Sequence, residues 1–200
     1  WVIVPGVASR PTQASDVARA LAFVQGRARR WGGDPRRVVL MGHSAGAHLV
    51  ALVAASPSLR AAAGARAPLG TVLLDSAALD VPGLMQARHL PLHDAAFGND
   101  PATWRALSPL HVLDRPVAPV LAVCSTRRAG ACPQADAFVA RIRALGGRAE
   151  VLREDLSHRQ VNAQLGAQPD YTHAVEAFLG SLDPSFAQRA ASSRSRSASP

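Results

Sequence analysis

Residues 37–52 read Arg37-Val38-Val39-Leu40-Met41-Gly42-His43-Ser44-Ala45-Gly46-Ala47-His48-Leu49-Val50-Ala51-Leu52, and they predict a strand, a sharp turn and a helix in immediate succession. Residues 38–41 form a short apolar, β-branched run of the kind found in buried parallel strands. Residues 45–55 are rich in Ala and Leu, which favours a buried helix. Between them, residues 42–46 fit the pattern G-x-S-x-G, in which a tight turn joins strand to helix.

The spacing of this turn has a chemical reason. A serine at its tip, Ser44, would have its Oγ clear of the sheet, and Gly42 and Gly46 would let strand and helix approach closely. The N-terminus of the following helix would direct free N–H groups and a partial positive charge at the same place. The pattern therefore predicts Ser44 as a nucleophile and the Ala45 N–H as an oxyanion-hole donor. The alternative is a glycine-rich turn around a buried serine, but the flanking strand and helix favour the nucleophile.

Composition indicates one globular domain of mixed helix and strand. The chain has 200 residues, of which 48% are hydrophobic and 18% charged, so it can bury a substantial core. Its net charge is +8, and all 22 basic residues are arginine. We interpret this as compositional bias and predict no nucleic-acid partner, because no dense basic helix or aromatic-interleaved patch is present. No apolar run reaches the roughly 18 residues of a membrane span.

Strand and helix patterns alternate along the chain, which predicts a parallel sheet with helices on both faces. The strand patterns lie at 1–4, 38–41, 69–74, 119–123 and 148–152, and the helix patterns lie at 15–30, 45–55, 134–145 and 170–182. We predict an irregular segment at 76–115, a lid or pocket wall containing Phe97 and Trp104. Residues 183–200 are predicted to be a disordered Ser/Arg/Ala tail that follows a domain of residues 1–182.

The base that would activate the serine is predicted to be His158. In sheets of this kind the order along the chain is serine, acid, histidine, and His158 follows the last predicted strand. The alternative is a solvated loop histidine. His43 and His48 flank the serine and are interpreted as structural, and His173 as a surface residue.

The acid that would orient this histidine is not evident. The loop after strand 119–123 is the expected position, and residues 124–133 contain no carboxylate. Asp80 and Asp136 are the two leading candidates, Asp75 and Asp155 are weaker ones, and a missing acid is the remaining possibility. Loss of such an acid lowers activity by orders of magnitude without abolishing it.

Cys124 and Cys132 lie in that same loop. They either form a disulfide, which would suit an exported protein in an oxidising compartment, or remain two thiols, which would suit the cytoplasm. No C-x-x-C pair or His/Cys cluster predicts a metal site.

These motifs resemble those of α/β-hydrolases of the esterase and lipase type, close to the hormone-sensitive-lipase-like and the feruloyl-esterase- and arylformamidase-like carboxylesterases. The matching positions are Pro11, Asp16, residues 31–38, residues 42–48 and Ser157-His158. The resemblance covers residues 1–182. It implies an α/β-hydrolase fold and cleavage of a small carboxylic ester through an acyl-enzyme on Ser44, with no cofactor.

The sequence departs from this family at two places. Family members carry a His-Gly-Gly oxyanion segment after an early strand, and this chain has none, so we expect the N-terminal strands of the fold to be lacking. Family members also carry their acid in a His-Gly-x-x-Asp stretch, where this chain has Cys124-Ser125 and then Arg127-Arg128. These departures leave a second hypothesis open, a catalytically impaired protein of the same fold that binds a ligand or partner.

Overall fold

Four parallel strands form one sheet in the order β1-β2-β3-β4. The computed structural model describes residues 10–186. The strands are β1 (Val39–His43), β2 (Gly70–Leu74), β3 (Val120–Ser125) and β4 (Ala149–Glu154). Since all four run in the same direction, their carboxyl ends lie along one edge of the sheet. The segments that follow these ends therefore meet in one place.

Helices supply the crossovers that parallel strands require. They are α1 (Arg10–Arg27), α2 (Ala45–Ala55), α3 (Pro57–Ala62), α4 (Val81–Gln86), α5 (Pro91–Phe97), α6 (Pro101–Ala106), α7 (Pro109–Val112), α8 (Ala131–Ala144), α9 (His158–Ala163) and α10 (Pro169–Leu182). A 3₁₀ turn, Ala28–Trp31, follows α1 and ends at Gly32, whose φ is +73°.

Helices cover both faces of the sheet. On one face, alternate strand residues such as Leu73 and Ala122 pack with the buried sides of α2 and α8. On the other face, the intervening residues such as Val72 and Val123 pack with Phe178 of α10. The predicted α/β architecture is confirmed by this parallel, two-sided arrangement.

Burial separates the inner strands from the outer ones. Every residue of β2 and β3 is buried, whereas β1 and β4 are only partly buried. This is the reason that β2 and β3 read as continuous apolar runs.

The segment 76–115 differs from the prediction of an irregular loop, because it contains the four short helices α4–α7. Each has proline at its first or second position. Proline lacks an N–H that the first helical turn would leave unpaired, and its φ suits a helix start, so these prolines begin helices instead of breaking them. Asp80 and Asp100 cap α4 and α6 through their side chains.

The predicted strand 1–4 lies outside the described residues, as do residues 187–200 of the predicted tail. Of that tail, Asp183 forms an ion pair with Arg37, and its Oδ1 accepts a hydrogen bond from the Ser185 N–H at 2.9 Å. Across residues 10–186, no helix is both long enough and apolar enough to cross a membrane.

Candidate active site

Ser44 lies between β1 and α2 in a strained backbone conformation, with φ +57° and ψ −120°. A non-glycine residue rarely adopts such angles, and they are found at functional sites where the surrounding structure imposes them. A Cβ on Gly42 would collide with the Gly46 carbonyl group and lie 2.9 Å from the Ala47 nitrogen. A Cβ on Gly46 would have no atom within 4 Å apart from its chain neighbours and the backbone of its own helix. Of the two motif glycines, only Gly42 is required by the close approach of strand and helix.

His158 follows β4, and Ser44 follows β1, the strand on the opposite side of the sheet. His158 is the first residue of α9, and its Nε2 lies 2.9 Å from Ser44 Oγ. The start of α9 is fixed by a capping box, in which Ser157 and Gln160 each bind the other's backbone N–H. The imidazole is therefore held at a defined helix start, at the position predicted for the base.

The carboxylate beside His158 is Asp75. Its Oδ2 lies 2.5 Å from His158 Nδ1, and its Oδ1 accepts the Ser125 N–H at 2.8 Å. Asp75 directly follows β2, has φ +54° and is fully buried. Its two oxygens thus fix the carboxylate between the histidine and the end of β3.

The two leading candidates from the sequence lie elsewhere. Asp80 caps α4 and lies 3.6 Å from His111, whereas Asp136 forms an ion pair with Arg153 on the outer strand β4. Within residues 10–186 neither hydrogen-bonds to His158. The expectation fails because β2 ends directly beside β1, so the first residue after β2 is already level with the serine turn. Asp80 comes five residues later, after the chain has turned away into α4.

Asp155, the other weak candidate, forms a bidentate ion pair with the exposed Arg127. One signal in the sequence could have ranked Asp75 first. It is the acidic residue that directly follows a buried strand, just as Ser44 follows the preceding strand.

Arg128 is a site residue that the sequence did not single out. Its Nη1 donates to the Asp75 carbonyl oxygen at 2.8 Å, and lies 3.3 Å from Asp75 Oδ2 and 3.1 Å from His158 Nδ1. Since His158 Nδ1 donates its proton to Asp75 when Nε2 accepts one from the serine, the third contact is electrostatic. Arg128 thus places a positive charge against the buried carboxylate.

Two further histidines support the site. His43 packs its ring against His158 with the centroids 4.5 Å apart, and its Nε2 lies 2.8 Å from the His158 carbonyl oxygen. His48 is buried, and its Nδ1 donates to the Ala78 carbonyl oxygen at 2.7 Å. Burial is the main cause that lowers the pKa of both imidazoles, so both are neutral at neutral pH. His173, expected at the surface, is exposed on α10.

A cleft opens at the serine. Eleven residues line it: Ser44, Ala45, His48, Ser76, Ala77, Ala78, Leu92, His93, Ala96, Phe97 and Arg128. The predicted pocket residue Phe97 is among them. Trp104 is not, and its Nε1 instead donates to the Gly98 carbonyl oxygen at 2.9 Å. Ala45 lies beside the serine as the first residue of α2, where its N–H has no partner within the helix.

Cys124 and Cys132 form a disulfide, which confirms the first of the two alternatives. The bond joins the end of β3 to the start of α8 and closes the loop that contains Ser125 and Arg128. Among residues 10–186, no group of three or more His, Cys, Asp or Glu side chains is arranged to hold a metal ion.

The fold is that of the α/β-hydrolases, and the comparisons agree. A structure described as esterase 2 of Thermogutta terrifontis phosphonylated by sarin is 20% identical, with a TM-score of 0.70; the alignment covers 88% of this chain and 68% of that one. An acetyl ester-xyloside bifunctional hydrolase from Caldicellulosiruptor lactoaceticus gives 18% identity and a TM-score of 0.72, with the same coverage. Esterase B from Lactobacillus Rhamnosis is 20% identical, with a TM-score of 0.68; the alignment covers 97% of this chain and 67% of that one.

The BD-FAE family model, a hormone-sensitive-lipase-like carboxylesterase domain, matches residues 4–69. The predicted resemblance to α/β-hydrolase esterases is thereby confirmed. No curated protein matches the chain. The chain spans about two thirds of the length of the esterases that it resembles in structure.

Proposed function

We propose that the protein hydrolyses carboxylic esters of small molecules through an acyl-enzyme on Ser44. The observation that carries the proposal is the continuous contact from Ser44 Oγ through His158 to Asp75, at 2.9 Å and 2.5 Å. This chain of contacts joins a nucleophile to a base and the base to an orienting acid. The esterases of similar fold support the same chemistry.

In the first half-reaction, Ser44 Oγ attacks the ester carbonyl carbon and His158 Nε2 takes the hydroxyl proton. The carbonyl oxygen becomes an oxyanion, which the Ala45 N–H and the N-terminus of α2 stabilise. The oxyanion collapses, the bond to the alcohol oxygen breaks, and His158 returns its proton to the leaving alcohol. Asp75 holds the imidazole in the required tautomer and stabilises its positive charge.

In the second half-reaction, water repeats the attack on the acyl-enzyme and His158 accepts the proton of that water. The acid is released when the bond to Ser44 Oγ breaks and the proton returns to the serine. These steps consume one ester and one water and yield one acid and one alcohol. They need no cofactor, because the chemistry is nucleophilic and electrostatic.

The cleft indicates the size of the substrate. Three alanines, Ala77, Ala78 and Ala96, line it together with Phe97 and Leu92. We propose an acyl group of a few carbons, with the segment 76–115 forming the pocket wall of a hydrolase domain that spans residues 1–182. The disulfide supports an oxidising, exported setting.

Covalent labelling tests the nucleophile. A fluorophosphonate probe added to the purified protein should modify Ser44, as located by peptide mapping, and hydrolysis of 4-nitrophenyl acetate should be lost in Ser44→Ala. A structurally similar esterase is phosphonylated by sarin, which is the same class of reaction. Ser76 is the matched control, because it also lines the cleft but forms no hydrogen bond with His158 among residues 10–186; its Oγ accepts the Ala78 N–H. Label on Ser76 alone, or unchanged turnover in Ser44→Ala, would refute the mechanism.

The alternative of a binding protein without catalysis rested on a missing acid and a missing oxyanion segment. The contact between Asp75 and His158 supports the esterase against the first of these two grounds. Absence of both labelling and turnover in a folded sample would restore the alternative.

A further inference from the structure

Arg128 places a guanidinium in the cleft that contains Ser44. Its side chain is 30% exposed. Its Nη1 contacts the carbonyl oxygen and carboxylate of Asp75 and the ring of His158.

The other two nitrogens of Arg128 are Nε and Nη2. Among residues 10–186, neither Nε nor Nη2 has a hydrogen-bond partner, and these two atoms form the side of a guanidinium that binds a carboxylate through two parallel hydrogen bonds. The neighbouring Arg127 shows this use: its Nε and Nη2 bind the two oxygens of Asp155 at 2.7 and 3.0 Å. In Arg128, which lines the cleft, the same edge binds no carboxylate of residues 10–186.

Arg128 is also held in place before any ligand arrives. The Cys124–Cys132 disulfide closes its loop, and its backbone N–H donates to the Ser125 carbonyl oxygen at 3.4 Å. Nη1 is fixed by Asp75, so binding would immobilise little further side-chain freedom. A site fixed in advance binds its ligand at lower entropic cost.

No other lining residue carries a charge at neutral pH. The pKa of His93 is lowered by burial and by the nearby charges of His89 and Arg128, and burial lowers the pKa of His48. The remaining lining residues are Ser, Ala, Leu and Phe. Asp94, on the same helix as His93, faces His89 at 3.0 Å, and Asp75 directs its oxygens to His158 and Ser125.

We propose that Arg128 is a specificity-determining residue that selects esters with a carboxylate elsewhere in the molecule. The inference rests on the proposed esterase function. The carboxylate binds Nε and Nη2 of Arg128 while the ester carbonyl carbon lies at Ser44 Oγ. The carboxylate can belong to the acyl group, as in a half-ester of a short dicarboxylic acid, or to the alcohol, as in an acylated hydroxybenzoate.

Matched pairs of esters test this selection. For the acyl side, kcat/KM is measured for mono-4-nitrophenyl succinate and for 4-nitrophenyl butyrate, its neutral counterpart. For the alcohol side, 3-acetoxybenzoate is compared with phenyl acetate. The readout is the ratio of anionic to neutral kcat/KM within each pair, because replacing Arg128 also removes a contact to Asp75 and lowers both rates together.

In Arg128→Met, at least one ratio should fall about tenfold to hundredfold, the range expected for a charge-assisted, bidentate hydrogen bond. Arg128→Lys keeps the charge but cannot form two parallel hydrogen bonds, so its ratio should lie between those of wild type and Arg128→Met. Arg127→Met is the control: it removes an adjacent positive charge that binds Asp155 outside the cleft, and both ratios should stay unchanged. A fall in the succinate ratio alone assigns the carboxylate to the acyl group, and a fall in the acetoxybenzoate ratio alone assigns it to the alcohol.

Ratios that are the same in wild type and Arg128→Met would overturn the proposal while leaving the esterase function intact. If no ester were turned over, the proposed function would fail, and calorimetry with succinate and 3-hydroxybenzoate would still decide the inference. Binding of either anion that is lost in Arg128→Met and kept in Arg127→Met supports the anion site. No binding to wild type refutes it.

Discussion

Asp75 shows how one residue can reach a position that its local sequence does not reveal. It lies in Leu74-Asp75-Ser76, which has no acidic motif, whereas the loop that should hold the acid contains a disulfide and two arginines. The structure brings Asp75 to His158 because β2 ends beside β1, and the Ser125 N–H at the end of β3 fixes its second oxygen.

Replacement of Asp75 by Asn tests this position. Asn keeps the size of the side chain but presents an amide, which cannot stabilise the imidazolium and favours the wrong tautomer. We expect kcat for 4-nitrophenyl acetate to fall roughly 10⁴-fold, the loss known for this change in serine proteases, with the fold preserved by circular dichroism.

Asp80→Asn and Asp136→Asn are the matched controls for Asp75→Asn. Asp80→Asn retains a side chain that can cap α4, and Asp136→Asn removes only an exposed ion pair. Both should keep kcat within a few-fold of wild type. A large loss in either control, with none in Asp75→Asn, would return the acid to the candidates that the sequence favoured.

At the scale of elements, the turn between β1 and α2 depends on close contact between two backbones. The two glycines of its motif look equivalent in sequence, but only Gly42 faces the opposing backbone of Gly46 and Ala47. Glycine is required at position 42 by the close approach of the two backbones and not by its own backbone conformation, since neither glycine has a positive φ.

Alanine at these two positions should therefore have opposite consequences. Gly42→Ala forces β1 and α2 apart and should lower the free energy of unfolding by about 3 kcal/mol. Gly46→Ala adds a methyl group in open space within a helix and should change it by less than about 1 kcal/mol, in the stabilising direction. Urea denaturation measures both, and equal destabilisation by the two would contradict the geometry.

The disulfide is the second feature at this scale, because it ties β3 to α8. Closing a loop between residues eight apart restricts the unfolded chain, which corresponds to about 2.5 kcal/mol of stability by the loop-entropy relation. Reduction should lower the free energy of unfolding by about this amount, as measured by denaturation with and without reductant.

The double variant Cys124→Ala/Cys132→Ala is the control for reduction. It should be as unstable as the reduced protein and should not respond to reductant. A wild type whose denaturation midpoint is insensitive to complete reduction would show that the bond does not constrain the unfolded chain.

For the whole molecule, stability should depend on pH through histidines that are buried neutral. The folded-state pKa values of His48, His43 and His93 all lie below the ordinary value of 6.5. Burial is the largest cause of the lowering in each of them. Below pH 6.5 these three histidines therefore bind more protons in the unfolded chain than in the folded one. Stability rises with pH through this window and is lost as the pH falls.

His48→Asn isolates one of these groups. The Asn amide can donate to the Ala78 carbonyl oxygen in place of Nδ1, yet it does not titrate. The urea midpoint of wild type should fall between pH 7.5 and pH 5.0, and that of His48→Asn should fall less. An identical fall in both proteins would show that His48 does not contribute to the pH dependence.

The sequence by itself predicted the strands β1–β4, the helices α1, α2, α8 and α10, the serine turn and a histidine after the last strand. These depend on neighbours along the chain: an apolar run, a G-x-S-x-G turn and a histidine soon after a strand are each local patterns. The prolines of 76–115 were local signals too, but of helix starts and not of an irregular segment.

Only the tertiary structure decided which carboxylate contacts His158, where Arg128 lies and that the two cysteines are paired. Asp75 and His158 are 83 residues apart, and Asp75 and Arg128 are 53 apart. They meet because parallel strands bring every carboxyl end to the same edge of the sheet. Register then selects which side chains face each other there, and no pattern within a single segment encodes that choice.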